Sequence, residues 1–181
     1  MGLLLRAAER ADAMAVAQVH VRSWQAGYRG LLPDAYLDGL RPEDRATRYD
    51  FATADVRAPS TMVAVDGDVI CGFATTSPAR DADVPEHGEL CALYVDPEWW
   101  GRGVGAALIS AARGRLLDRG FRNATLWLLD GNARADRFYR MDGWAPDGLR
   151  RTDTIWGVTV NEGRWRRALG GENGYQERSG P

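Results

Sequence analysis

One stretch constrains the fold more than any other. The apolar run Leu90-Cys91-Ala92-Leu93-Tyr94-Val95 ends at Asp96-Pro97, and Gly101-Arg102-Gly103-Val104-Gly105 then precedes a segment of helical period. A strand feeding a glycine-rich loop and a helix leaves main-chain N–H groups converging on one point. The helix N-terminus adds a partial positive charge there. Glycines cost conformational entropy, so a tight turn alone does not account for three of them at alternate positions. The segment predicts a phosphate- or pyrophosphate-binding turn inside a strand–helix unit.

The flanking sequence supplies a sheet for that unit. Residues 3–7 read as a first strand. Asp12 reads as the N-cap of a helix carrying Met14, Val16, Ala17, Val21 and Trp24, which is broken at Gly27–Gly30 and Pro33. A helical turn is expected at 34–40 and a helix at 42–51, with Pro42 at its first position. Residues 61–65 and 69–75, joined by Asp66-Gly67-Asp68, form a hairpin. A polar loop spans 77–88 and a strand 89–95. A helix over 103–119 buries Leu108, Ile109, Ala112 and Leu116. A strand follows at 124–129, then a short helix from Asn132 to Met141, with strand-like runs at 155–160 and 164–169. Residues 1–169 read as one domain, and 170–181 as a flexible, Gly-rich tail.

Composition excludes several function classes. The chain is 45% hydrophobic with a net charge of −2, which is a globular balance without a nucleic-acid signature. No apolar run approaches the roughly 20 residues of a membrane helix. With no secretory signal at its start, a cytoplasmic location is expected. The basic residues are all arginine, so the chain has no lysine amine of its own to acylate. The two cysteines, Cys71 and Cys91, lie in apolar runs and read as buried reduced thiols. Two His and two Cys show no metal-ligand spacing, so no metal is expected.

Gly101-x-Gly103-x-x-Ala106 formally matches a dinucleotide fingerprint. In that motif, however, the glycine turn follows its strand directly, whereas here Asp96–Trp100 intervene, and too little chain remains for a second mononucleotide half. The absence of Gly-Lys-Ser/Thr excludes a P-loop. A second segment, Asn132-Ala133-Arg134-Ala135-Asp136-Arg137-Phe138-Tyr139 through Gly143-Trp144, completes the pattern. Together the two segments resemble the GNAT superfamily of acetyl-CoA-dependent N-acetyltransferases. That family's loop reads Arg/Gln-x-x-Gly-x-Gly/Ala, and its later motif reads Asn-x-x-Ala-x-x-Phe-Tyr-x-x-x-Gly-Phe. Trp100 stands where the family usually has Arg or Gln, and Trp144 replaces the common Phe.

The resemblance implies an α/β (α+β) fold: a mixed, mostly antiparallel sheet flanked by helices and splayed between its two central strands to hold coenzyme A. It places Leu93, Tyr94 and Val95 along the pantetheine arm, with the Leu93 amide polarising the thioester carbonyl. Gly101, Arg102, Gly103, Val104, Gly105 and Ala106 would wrap the pyrophosphate. Asn132, a sufficient helix cap in its own right, would also bond the pantetheine amide. Tyr139 would protonate the departing thiolate, its alternative being a core aromatic. Glu89 matches the place of a general-base glutamate in part of the family, the alternative being a solvated strand-end carboxylate.

Trp24, Tyr28 and Tyr36 fall where the family builds part of its acceptor pocket, with the 77–88 loop and Trp156 as further walls. Core packing of Trp24, and solvation of Asp34, Asp38, Glu43, Asp81 and Asp83, is the alternative. The function implied is direct acetyl transfer from acetyl-CoA to a primary amine, in a ternary complex with a small-molecule acceptor. No nucleic-acid or membrane partner is expected, and a homodimer is compatible with the sequence. The competing functions are a non-catalytic acyl-CoA sensor and an enzyme acting on protein N-termini.

Overall fold

Alternation of side chains along β2 (Ser60–Asp66) and β3 (Val69–Pro78) sends neighbouring residues into two different cores. Val63, Val65 and Phe73 pack with Val16 and Val19 of α1 (Ala13–Gly27), whereas Ala64, Cys71 and Ala74 pack with α4 (Val104–Asp118) on the opposite face. This computed structural model describes residues 2–53, 55 and 57–170, so the expected tail at 171–181 lies outside the described residues. The remaining elements are β1 (Leu4–Ala7), α2 (Asp34–Asp38), α3 (Pro42–Ala46), β4 (Gly88–Val95), β5 (Asn123–Leu129), α5 (Ala133–Met141), β6 (Ala145–Ile155) and β7 (Val158–Ala168).

The sheet order is β1-β2-β3-β4-β5-β7-β6, and every pair is antiparallel except β4–β5. That parallel pair joins only at Gly88↔Ala124 and Glu89↔Thr125. Beyond Glu89 the two strands part, which is the expected splay. On its other edge β4 carries a bulge: Thr75 pairs with Ala92 and Thr76 with Leu90, so Cys91 has no opposite number. An extra residue in one strand bends and twists it locally, and here it accompanies the departure of β4 from β5.

Helix α4 lies close against the sheet because two strand positions lack side chains. A Cβ on Gly72 would stand 2.9 Å from Leu108 Cδ1 and 3.0 Å from the Tyr94 carbonyl oxygen, and one on Gly88 would stand 2.6 Å from Leu116. Leu108, Ile109, Ala112 and Leu116 are all buried against Leu90, Ala124 and Leu126. Burial of each such leucine or isoleucine contributes about 1.5–3 kcal/mol.

Three expectations need correction. The helix expected at 42–51 stops at Ala46. Asp12 does not bond the first amides of α1; its carboxylate accepts from Glu9 N and the Arg6 guanidinium instead, closing a single helical turn ahead of α1. The strand-like runs at 155–160 and 164–169 belong to two 11-residue strands, with the turn at Trp156-Gly157 inside the first run. Strand β6 is exposed along most of its length, so it lacks the apolar alternation that marks a half-buried strand.

Replacing Gly72 with alanine should destabilise the fold by about 1–3 kcal/mol, because a backbone carbonyl and two packed side chains surround the added methyl. Urea unfolding of Gly72→Ala checks this. An unchanged midpoint would mean that α4 does not need its close approach.

Candidate active site

The parting of β4 from β5 creates a gap whose walls come from both faces of the sheet. Leu93 and Val95 point to the α4 side and Tyr94 to the α1 side. The end of β4 is held by side chains in place of a neighbouring strand. Ser23 Oγ of α1 donates to the Val95 carbonyl at 2.8 Å, and the Trp100 indole N–H donates to the same oxygen at 2.7 Å. Buried Asp96 accepts from Arg22 Nε at 2.6 Å, tying the next residue to α1. Trp100 thus latches the loop to β4, and the Arg134 guanidinium of α5 lies 3.2 Å from the centre of its ring.

The glycine loop follows. Gly101 (φ 75°) and Gly103 (φ 82°) take the left-handed conformation that side-chain-bearing residues avoid. Gly103 caps α4, and no side chain bonds the first amides of the helix. Those N–H groups and the aligned helix dipole meet at an exposed turn, a geometry that fits a pyrophosphate. Gly105 also has a packing role, since a Cβ there would meet the Phe138 ring at 3.3 Å. Arg102 stays at the surface with its guanidinium 5.1 Å from the centre of the Trp99 ring, and Val104 is buried while Ala106 is exposed.

Across the gap, Asn132 caps α5 by accepting from Ala135 N at 3.1 Å through its side-chain oxygen. Its amide donors make no hydrogen bond with the described residues, so capping leaves them free. Tyr139 has its ring in the α4-side core, 9% exposed, between Phe138 and Trp144. Burial pushes its hydroxyl above the usual phenol range, with the nearby Tyr94 adding to the effect. Tyr28, the C-cap of α1, belongs to the same group: its hydroxyl is 3.4 Å from that of Tyr94, and burial raises its pKa too. All three hydroxyls therefore remain protonated donors at neutral pH.

Glu89 is not the solvated strand-end carboxylate weighed above. It is 3% exposed at the last β4–β5 pair, and Arg80 grips it through Nη2 at 2.9 Å and Nε at 3.3 Å. A second buried carboxylate, Glu162, lies on the same face of the sheet and pairs with Arg151. Its burial raises its pKa, an effect that Arg151 opposes and Glu89 reinforces. Nothing in the sequence singled out Glu162; its signal was register, since it sits opposite Leu129 only once β7 is paired.

Trp24 is 3% exposed and packs with Tyr28, His20 and Trp156 in the interior cluster, so its ring presents little surface to an acceptor. Tyr36 donates to the Trp156 carbonyl at 3.1 Å, closing α2 against the β6–β7 turn. Asp81 and Asp83 are engaged by an arginine, Asp81 half-buried and Asp83 still exposed to solvent. With Asp147 they surround Arg164, which is 2% exposed, and pin the 79–87 loop to β7. The cysteines are free thiols; burial pushes Cys91 up to about 11 and Cys71 upward as well, opposite to what a nucleophile needs. Among the described residues no cluster of His, Cys, Asp and Glu could hold a metal, and no helix is long and apolar enough to cross a membrane.

A sheet parted at its parallel centre, beside a glycine-led helix with uncapped amides, is the architecture of an acyltransferase. A family model described as "Acetyltransferase (GNAT) family" matches residues 20–144. The chain belongs to that family and is an acyltransferase. It is similar to an N-acetyltransferase of Bacillus subtilis strain 168, YuaI, at 31% identity over 71% of this chain and 72% of that one. An N-acetyltransferase of Archaeoglobus fulgidus is 30% identical over 83% of this chain and 95% of its own. Among solved structures, a phosphinothricin acetyltransferase of Sinorhizobium meliloti in complex with acetyl-CoA superposes with a TM-score of 0.68, at 25% identity, covering 94% and 90% of the two chains.

The Arg164 cluster has a pH signature. Arg164 holds the Asp83 carboxyl at about 2, below its ordinary 3.8, and also contributes to lowering Asp147. A carboxyl depressed in the folded state stabilises it above the unfolded pKa and loses that contribution as pH falls through the folded one. Stability of the native chain in urea should therefore decline between pH 4 and pH 2. Arg164→Met should be less stable at pH 7 yet show a shallower decline across that window; parallel curves would assign the acid sensitivity to other groups.

Proposed function

We propose that the chain transfers the acetyl group of acetyl-CoA to the primary amine of a small molecule, by direct attack within a ternary complex. The observation that carries this reading is the juxtaposition of the unpaired β4 edge after Glu89 with the uncapped, glycine-led start of α4. An extended, amide-bearing arm can pair along the first while a pyrophosphate sits on the second, and the similar Sinorhizobium enzyme was crystallised with acetyl-CoA. In this reading Leu93, Tyr94 and Val95 line the arm, and the Leu93 N–H donates to the thioester carbonyl. Gly101 through Ala106 take the pyrophosphate with Arg102 at its edge, and the free amide of Asn132 bonds the pantetheine.

Tyr139 donates the proton that the leaving thiolate needs. Its hydroxyl bonds no other described residue and stays protonated, so it is available as a donor. Glu89 takes a proton from the acceptor ammonium, directly or through water, freeing the amine to attack, while Arg80 holds the carboxylate in place. A second reading of the base, Glu162, is favoured by one observation: its burial raises its pKa. Tyr28 borders the acceptor. Transfer through a cysteine is disfavoured by the raised thiol pKa values.

Tyr139→Phe should lower kcat by about 10²–10³, within the usual range for loss of a general acid, and leave the Kd for acetyl-CoA within about twofold. Thiol release with a competent amine, alongside calorimetric titration of acetyl-CoA, measures both. Full turnover by Tyr139→Phe would remove it from the acid role. Saturable acetyl-CoA binding with no thiol release from amines, aminoglycosides or short peptides would favour a sensor.

The base is assigned by pH profile. Glu89→Gln should reduce kcat/KM by about 10²-fold and abolish its acid limb, with Glu162→Gln the milder variant. The reverse order would move the base to Glu162.

A further inference from the structure

Many arginines of this chain are paired. Arg6, Arg22, Arg80, Arg151 and Arg164 each meet a carboxylate, the last of them three. Arg45 does not. It is 6% exposed on α3, and no carboxylate among the described residues forms an ion pair with it. Its guanidinium carbon lies 3.1 Å from the centre of the Trp156 ring, and it hydrogen-bonds the Tyr36 hydroxyl. A guanidinium has five N–H donors in a planar fork, and stacking on an indole occupies a face of the fork but none of its edges.

Arg45 lines a cavity of about 530 Å³ between α2, α3 and the β6–β7 turn. Arg41 and Arg48 lie on the same wall, and neither forms an ion pair among the described residues; Arg41 donates to the Asp38 and Leu40 carbonyls. The acidic side chain of the lining is the exposed Asp44. Burying a charge without a counter-charge is unfavourable, and a chain that pairs its other buried arginine, Arg164, leaves this one open onto a basic cavity. Trp156 is itself held at φ 53°, a conformation unusual for a bulky residue, with its ring under the guanidinium.

We propose that this cavity is an oxyanion-binding site, in which the Arg45 fork grips a carboxylate or phosphate group of a small molecule and Arg41 and Arg48 supply further positive charge. The site is separate from the glycine loop, and only the source of its oxyanion rests on the acetyl-transfer reading. It adjoins the acceptor side through a run of rings: Trp156 stands edge-on to His20 with centroids 4.1 Å apart, and His20 stacks on Tyr94 at 4.5 Å. The oxyanion is therefore supplied either by an acidic group on the acceptor itself or by a separate anion bound against the acceptor wall.

Calorimetric titration of inorganic phosphate into protein saturated with coenzyme A tests the site, since coenzyme A fills the glycine-loop turn. The native chain should bind phosphate saturably at one site, and Arg45→Met at least tenfold more weakly. The variant should keep its affinity for coenzyme A and melt at or above the native temperature, because it removes an uncompensated buried charge. A merely structural Arg45 would instead lower the melting temperature and leave phosphate binding unchanged. Absent phosphate binding, or equal binding by the two proteins, overturns the proposal.

Should coenzyme A itself fail to bind, the same comparison on the free protein still reads Arg45, because the glycine loop is common to both variants. The source of the oxyanion is then read from thiol release with 4-aminobutyrate, 6-aminohexanoate and 3-aminopropylphosphonate against n-butylamine. A tenfold rise in KM in Arg45→Met confined to the acidic amines makes it the acceptor's own group, whereas equal KM values make it a separate anion.

Discussion

The departure of β4 from β5 after Glu89 is the constraint on which the rest of the molecule depends. A parallel pair continued to Val95 would satisfy its main-chain groups and close the sheet. Here only two residue pairs join the strands, and the remaining edge of β4 must be held open by other means. An unpaired buried main-chain group costs about 1–3 kcal/mol, so an open edge inside a sheet needs compensation nearby. It comes from three directions. The bulge at Cys91 turns the strand, Ser23 and Trp100 share the Val95 carbonyl, and Arg22 holds Asp96. Helix α4 closes from the other face, which the bare backbone at Gly72 and Gly88 allows. The strand is anchored at its far end and loose along its edge, as a surface meant to pair with an extended ligand requires.

What could be read from the sequence was local. The glycine loop, the hairpin across Gly67 and helix α4 each declare themselves within a dozen residues by spacing alone, and Asn132 declares the start of α5. What could not be read depends on partners far apart in the chain. Arg164 meets Asp81 and Asp83, more than eighty residues away, so those ion pairs could not be seen until β7 was placed. Glu162 shows its character only through its register with Leu129 and Arg151. The β6–β7 hairpin escaped because β6 lies largely in water, where no hydrophobic period is required of it. Trp24 took the second of its two readings and packs into the interior cluster.

The exclusive use of arginine has a structural consequence beyond charge. Among the described residues, three guanidiniums lie within 4.0 Å of the centre of an indole ring: Arg134 on Trp100, Arg151 on Trp127 and Arg45 on Trp156. A lysine ammonium is a compact, strongly hydrated point charge and does not stack in this way. In the first two cases the arginine reinforces a wall of the gap, beside the glycine loop and beside Glu162 respectively. In the third it stands over the turn that closes the acceptor side. Stacked arginine thus serves as a packing element that keeps its hydrogen-bonding edge, which a purely apolar residue at the same position would not retain.

In the proposed reaction the sheet also separates the two proton movements that amide formation requires. Tyr139 is rooted in the core on the α4 side, whereas Glu89 and Glu162 lie on the α1 side with Tyr28 and Tyr94. A proton taken from the ammonium enters the carboxylate side, and the proton given to the thiolate leaves from the phenol side. Were acid and base adjacent on one face, the phenol would bond the carboxylate directly and each would be less available. Parting the strands places the reacting atoms between the two groups instead. The same opening that exposes the β4 edge to an extended arm therefore keeps donor and acceptor of the proton apart.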